Sequence, residues 1–287
     1  MPPKPSHAQA FLHQIRGHQL DWLIEFAQCS RAEPPEHWLA WSGDGHLVGW
    51  VSPERAEQMV VHLPGCVLRE GRLIWQSNAE NPMQRSRSLQ NFLQTQADRG
   101  RLEGWRDEYF NYWLKPNTPP LVTDEPWLCV ERAGFRHLGL MSHAVHINGF
   151  CANGQLWCAK RSAAKATDPG LWDNMTAGGL TAGEDAISTV RRELKEEAGW
   201  HWNVRQNLNG CGAVRTQRTE PQGWHDEVLL VYNLDIPDTF QPINQDGEVQ
   251  DFACWDPHEV ISGMQAGAFT ADAAHALCRG LGLTRTE

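Results

Sequence analysis

Residues 178–200, GGLTAGEDAISTVRRELKEEAGW, constrain this chain more than any other segment. Thr181 and Glu184 have the spacing of a reciprocal cap at a helix start, and Gly199 is placed to end the helix in a left-handed conformation. Between them Ile187, Val190, Leu194 and Ala198 form an apolar stripe that must bury against another layer. We therefore expect a helix over 182–198 packed on a sheet. The same helix carries Glu193, Glu196 and Glu197 at i, i+3 and i+4, on one side and near its C-terminal end. That is an unfavourable place for carboxylates. Like charges one turn apart cost roughly a few tenths of a kcal/mol, and the helix dipole disfavours negative charge at this end. A divalent cation more than offsets the penalty, and hard carboxylate oxygens suit Mg2+ or Mn2+ rather than zinc. A solvated acidic face is the competing reading for an isolated E-x-x-E-E.

The surroundings supply the sheet. Residues 143–150 and 155–161 read as strands separated by a Cys-Ala-Asn-Gly turn, and 227–234 and 251–255 as two more. Short helices are expected over 257–265 and 271–279. Strands bracketing one amphipathic helix predict an α/β sandwich. The rhythm changes near 133–140, so we expect a smaller N-terminal α+β domain, 1–135, before the helix-bearing domain, 136–287. In that first part, 7–28 has helical spacing with Phe11, Ile15, Leu20, Leu23 and Ile24 as contacts. Residues 46–51 read as a strand, Ser52 opens a helix towards His62, 86–99 form another ending at Gly100, and the aromatic run 104–114 is strand-like.

Charge and composition exclude several classes. The formal net charge is −10, which repels polyanions, so no nucleic-acid partner is expected. A small phosphorylated ligand is still compatible, because a metal ion and local cations outweigh the distant field. No apolar run reaches the roughly 18 residues of a membrane-spanning helix. The opening MPPKPSHAQAFLHQ has no apolar core of a secretory signal, so the expected location is the cytoplasm. The eight cysteines contain no CxxC pair, and we expect them reduced and mostly buried. Fourteen tryptophans point to buried packing, although any of them can stack on a flat heterocycle. Oligomerisation is left open.

The full stretch resembles the Nudix box, G-x5-E-x7-R-E-U-x-E-E-x-G-U, where U is bulky and apolar; only Trp200 departs slightly from the usual aliphatic choice. The resemblance implies a Nudix α/β/α sandwich with a mixed sheet. It also implies a metal-dependent hydrolase in which water activated by Mg2+ or Mn2+ attacks a phosphorus of a diphosphate. Gly178 would offer its backbone carbonyl to metal, and Glu193, Glu196 and Glu197 would bind metal or act as base. Arg192 would orient Glu193, while Glu184 would be mainly structural. Further segments resemble one subfamily: HAVHING at 143–149, residues 157–165, DPGLWD at 168–173, DGEV at 246–249, GWRDE at 104–108 and Glu131-Arg132. That subfamily carries an extra N-terminal domain and is related to the Nudix part fused to thiamin pyrophosphokinase in some fungi. It implies a diphosphatase for thiamin diphosphate and its damaged oxo and oxy forms.

Other candidate residues follow. Glu248 lies on a loop entering a strand, a place from which Nudix enzymes often supply an extra catalytic or metal-binding glutamate; an exposed turn acid competes. Glu227 is the second candidate for that role. Arg161, Lys165 and Arg218 could meet the substrate phosphates, though each alone reads equally as a surface charge. His143 and His146 face opposite sides of a strand and make a poor metal pair. Two rivals stay open. One is clean-up of oxidised nucleoside di- or triphosphates such as 8-oxo-dGDP. The other is a non-catalytic sensor of a phosphorylated ligand, although such sensors typically lose a box glutamate and this chain keeps all of them.

Overall fold

A computed structural model describes residues 6–115, 118–165, 167–201, 208–237 and 239–284. The chain opens with α1 (His7–Leu12) and α2 (His18–Phe26). It continues through β1 (Leu39–Gly43), β2 (His46–Val51), α3 (Pro53–His62), β3 (Cys66–Arg69), β4 (Arg72–Trp75) and α4 (Pro82–Asp98). Then come the ribbon β5 (Tyr109–Tyr112) and β6 (Leu128–Glu131), and the short α5 (Ala133–Leu138). The second half holds β7 (Ser142–Cys151), β8 (Leu156–Arg161), β9 (Trp172–Asp173), β10 (Thr176–Gly179), α6 (Ala186–Ala198), β11 (Leu208–Glu220), β12 (Gly223–Ile236), β13 (Val249–Trp255), α7 (Pro257–Gln265) and α8 (Ala271–Gly280).

The N-terminal sheet runs β2-β1-β4-β3, with β1 and β4 parallel and the outer pairs antiparallel. Trp41, Trp75, Met59, Leu89 and Phe92 fill its core together with Phe110 and Val130 of the ribbon. Local chemistry sets the helix starts. The Ser52 hydroxyl accepts the Arg55 N–H ahead of Pro53, and the Asn81 side chain accepts the Gln84 N–H ahead of Pro82. That second cap starts α4 four residues before the expected position.

In the larger sheet β7 is central and buried along its whole length. It pairs in parallel with β12 and antiparallel with β10 and β8, giving the order β11-β12-β7-β8-β13. One face packs on α6 through Val145, Ile147, Val190, Leu194, Leu230 and Leu234. The other is covered by α7, α8 and the first two helices, where Phe11, Ile15 and Leu23 meet Phe150, Leu156, Val260 and Leu277. This is the expected α/β/α sandwich with a mixed sheet, preceded by a smaller α+β unit. None of the helices, among the described residues, is long and apolar enough to cross a membrane.

The structure departs from the sequence reading in particular places. The expected helix over 7–28 is broken at Gly17, and Ile24 is exposed. The strand-like run 104–114 is extended only at β5, because residues 106–108 are drawn into a turn around Glu131. β11 has little apolar patterning: its segment LNGCGAVRTQRTE is rich in Gly, Arg and Thr, and its pairing to β12 defines it.

The N-terminal unit is held beside α6 at two points. The Trp41 indole N–H donates to the Leu138 carbonyl at 2.7 Å. The Ala182 N–H, in the loop before α6, donates to the Tyr109 carbonyl at 2.7 Å. At that junction a side chain at Gly179 would collide with the Phe110 ring.

Candidate active site

α6 begins at Ala186 rather than near 182. Its cap is Asp185, whose carboxylate accepts the Ser188 N–H while the Ser188 hydroxyl answers the Asp185 N–H. The expected Thr181–Glu184 cap gives way because Glu184 has a stronger partner. Arg192 donates from Nε at 2.8 Å and from Nη2 at 2.9 Å to the two Glu184 oxygens, a bidentate charged pair. The same guanidinium donates to Glu193 Oε1 at 2.6 Å and to the Gly179 carbonyl at 3.1 Å, and reaches Glu196 at 3.4 Å. Arg192 thus pins the helix to β10 and aims the Glu193 carboxylate. At the other end Gly199 closes the helix in the left-handed region (φ 66).

The buried side of α6 is not the stripe that apolar spacing alone would draw. Ile187 is exposed, and Ala186, Val190, Glu193, Leu194, Glu197 and Ala198 are buried. Glu196 stays half-exposed. Glu197 accepts the Ala177 N–H at 3.0 Å. Glu193 lies against Gly178 so closely that a Cβ there would fall 1.7 Å from its Oε1. Burial pushes the Glu193 carboxyl up to about 7, against the pull of Arg192. Burial, with Glu193 next to it, raises Glu197 well above the usual carboxylate range, and Lys165 offsets only part of this. Two buried acids with this surplus of negative charge, bordered by the bare backbone of Gly178, fit a divalent cation.

A small cavity beside Glu197 is lined by Glu248, Lys165, Arg161, Asp173, Asn174 and Ala177. Glu248, on the loop entering β13, accepts hydrogen bonds from Lys165 and, at 3.2 Å, from Arg106. Burial alone would raise the Glu248 carboxyl, but Lys165 and Arg106 outweigh it and hold the group below its ordinary value. Arg161 borders the cavity with its guanidinium committed to Asp173 at 2.8 Å and to the Thr167 carbonyl at 2.8 Å. The structure therefore brings Gly178, Arg192, Glu193, Glu196, Glu197, Glu248, Lys165 and Arg161 to one region. Arg106 was missed, because nothing in local spacing links it to a residue 142 positions away.

Residues 143–279, which carry these side chains apart from Arg106, match the NUDIX domain family. This chain carries a Nudix domain. The chain is similar to Nudix hydrolase 20, chloroplastic, of Arabidopsis thaliana, at 32% identity over 193 residues, covering 66% of this chain and 50% of that one. Nudix hydrolase 24, chloroplastic, of the same plant is 32% identical over 198 residues, covering 67% and 52%. An uncharacterized protein of Saccharomyces cerevisiae is 30% identical over 190 residues, covering 60% and 53%. The chain spans about half the length of these curated relatives.

A second polar cluster lies on the α8 side of the Nudix domain. Arg218, expected among the phosphate contacts, is here and not at the cavity: it grips both oxygens of Asp272, at 2.7 and 2.9 Å, and pairs with Glu220 at 2.6 Å. Glu227, the second candidate for an extra catalytic acid, instead accepts the Ser142 hydroxyl at 2.7 Å. Among the described residues His225, Glu227 and Asp272 are close enough to be a potential metal-coordinating cluster. The Asp272 charge is already answered by Arg218, and His225 is engaged by Arg136 and Thr216. His146 bonds Asn174 at 2.7 Å, while His143, on the opposite face of β7, packs edge-on to Trp113 and is pushed by burial down to about 4.

This cluster acts on stability. Burial alone would raise the Asp272 carboxyl, but His225 and Arg218 outweigh it and hold it well below 3.8. A folded-state value below the unfolded one gives stabilisation that is present above the unfolded value and lost as pH falls towards the folded one. Asp272→Asn should cost about 3–5 kcal/mol at neutral pH, because Arg218 loses its buried partner. It should also flatten the acid limb of stability below pH 3.8. Urea unfolding of both proteins across that range checks this; parallel acid limbs would refute it.

Proposed function

We propose that the protein is a metal-dependent diphosphatase that converts a thiamin-type diphosphate, including its oxo and oxy forms, into the monophosphate and inorganic phosphate. The observation that carries the reaction class is the buried pair Glu193 and Glu197 beside Gly178, facing a cavity that also holds Lys165 and Arg161. The thiamin-type substrate is supported by the segments around 104–108, 143–149, 168–173 and 246–249, which resemble that subfamily.

The Gly178 carbonyl and the Glu193, Glu196 and Glu197 carboxylates would hold Mg2+ or Mn2+. When bound, the cation supplies a Lewis acid that neutralises the diphosphate and lowers the pKa of water. Arg192 keeps Glu193 aimed without contacting substrate. Lys165 balances phosphate charge, and Arg161 keeps the cavity wall in place through Asp173. In the hydrolysis a water oxygen bonds to one phosphorus as the bridging P–O bond breaks. Monophosphate and inorganic phosphate leave, and the water proton passes to one of the carboxylates Glu193, Glu196, Glu197 or Glu248.

Purified protein with Mg2+ should release phosphate from oxothiamin diphosphate with a higher kcat/KM than from 8-oxo-dGDP. No release from any thiamin compound refutes the substrate, and preference for 8-oxo-dGDP replaces it with an oxidised nucleotide. Mg2+-dependent binding of these compounds with no turnover of any of them would mark a sensor instead.

A further inference from the structure

The N-terminal unit contributes one side chain to the cavity, and several interactions place it there. Glu131, at the end of β6, is fully buried, yet its carboxylate faces no cation at hydrogen-bond distance. Its Oε1 accepts the Arg106 N–H and its Oε2 the Glu108 N–H, both at 3.1 Å. Between them Asp107 takes a left-handed conformation (φ 57), and its carboxylate accepts the Trp105 indole N–H at 2.8 Å. Arg132 closes the turn, donating its N–H to the Glu108 carbonyl at 2.8 Å and pairing with the Glu108 carboxylate. Burying a carboxylate is costly, and this one secures only backbone donors of a surface turn. The residues involved are those of the GWRDE segment and the Glu131-Arg132 pair, and the hydrolytic chemistry above uses none of them.

The turn delivers the Arg106 guanidinium to Glu248. There it differs from the other arginines near acids. Arg161, Arg192 and Arg218 are each held by several contacts. Among the described residues, Arg106 has a single side-chain hydrogen bond, through Nη1, and its side chain is 41% exposed. Lys165 shares the same carboxylate, so two cations converge on one acid at the cavity. The geometry points to Arg106 as a phosphate-binding residue, held by Glu131 and supplied by the N-terminal unit, whose guanidinium takes the non-reacting phosphate oxygens of the diphosphate. This rests on the diphosphatase reading. It gives the N-terminal unit a part in the site: an arginine fork recognises a tetrahedral oxyanion in two directions, which a lysine cannot do.

The test is binding of methylene diphosphonate in the presence of Mg2+, followed by calorimetry on the full chain. Arg106→Ala should weaken binding by about 10- to 100-fold, the worth of a charge-assisted hydrogen bond. Arg106→Lys should recover part of that loss. Glu131→Gln, which keeps the shape but not the charge, should weaken binding in the same direction through the loosened turn. In turnover KM should rise with kcat little changed, which a merely structural ion pair would not produce. Equal affinity in the wild type and Arg106→Ala overturns the inference, whatever the turnover. Weakened binding in Arg106→Ala with no turnover in the wild type would support the inference and overturn the hydrolase reading alone.

Discussion

Replacing Glu197 by Gln should lower kcat/KM by about 10²–10⁴-fold while leaving the protein at least as stable as the wild type. The two halves of this expectation have one origin. Glu197 is buried, and burial together with Glu193 raises its carboxyl well above the ordinary range. A folded-state value above the unfolded one means that the ionised form destabilises the metal-free protein at neutral pH. Glutamine removes that charge and keeps an oxygen for the Ala177 N–H. An acid kept for structure would behave in the opposite way, losing stability on neutralisation with turnover intact. Phosphate release, with thermal melts taken with and without Mg2+, separates the cases. In the wild type Mg2+ should raise the melting temperature and chelation should abolish turnover. In Glu197→Gln the Mg2+ shift should shrink. Full activity in this variant would remove Glu197 from the chemistry.

How much of this was legible in the sequence depends on the range of the interaction. α6, its acid side and its glycine stop are set within one or two turns, and they were readable. The cap was not, because Glu184 had two possible partners and the one that wins, Arg192, lies eight residues on. Ile187 was misplaced because apolar spacing assumes that acids stay wet. Here Glu193 and Glu197 take buried positions, and Ile187 turns outward. Cations were the least legible. Arg161, Lys165 and Arg218 have similar local surroundings in sequence, and only the fold shows that Asp272 claims Arg218, 54 residues away. The Arg106 turn depends on Glu131, 25 residues away and on another strand, so no helical or strand period could reveal it. The sheet order was implied by the resemblance, whereas β11 carries too little apolar pattern to announce itself.

Gly178→Ala should reduce kcat/KM by about 10²-fold with only a modest loss of stability. The backbone of Gly178 is paired in register with Val145 of β7, and its φ is not among the positive values, so alanine suits the conformation. The difficulty is space. The new methyl would lie 1.7 Å from Glu193 Oε1, inside any permitted contact. The carboxylate must withdraw, although it is buried and held by Arg192 at 2.6 Å. A displacement of roughly 1 Å in a reacting constellation is enough for a loss of this size. Gly179→Ala is the comparison, since its methyl meets the Phe110 ring and not a carboxylate, so its cost should fall on stability. The cause can be isolated with Glu193→Asp, which shortens the side chain by one methylene and makes room. If the collision is what matters, Gly178→Ala added to Glu193→Asp should cost far less than it does in the wild type. Additive losses would show instead that Gly178 acts on its own, through its backbone carbonyl.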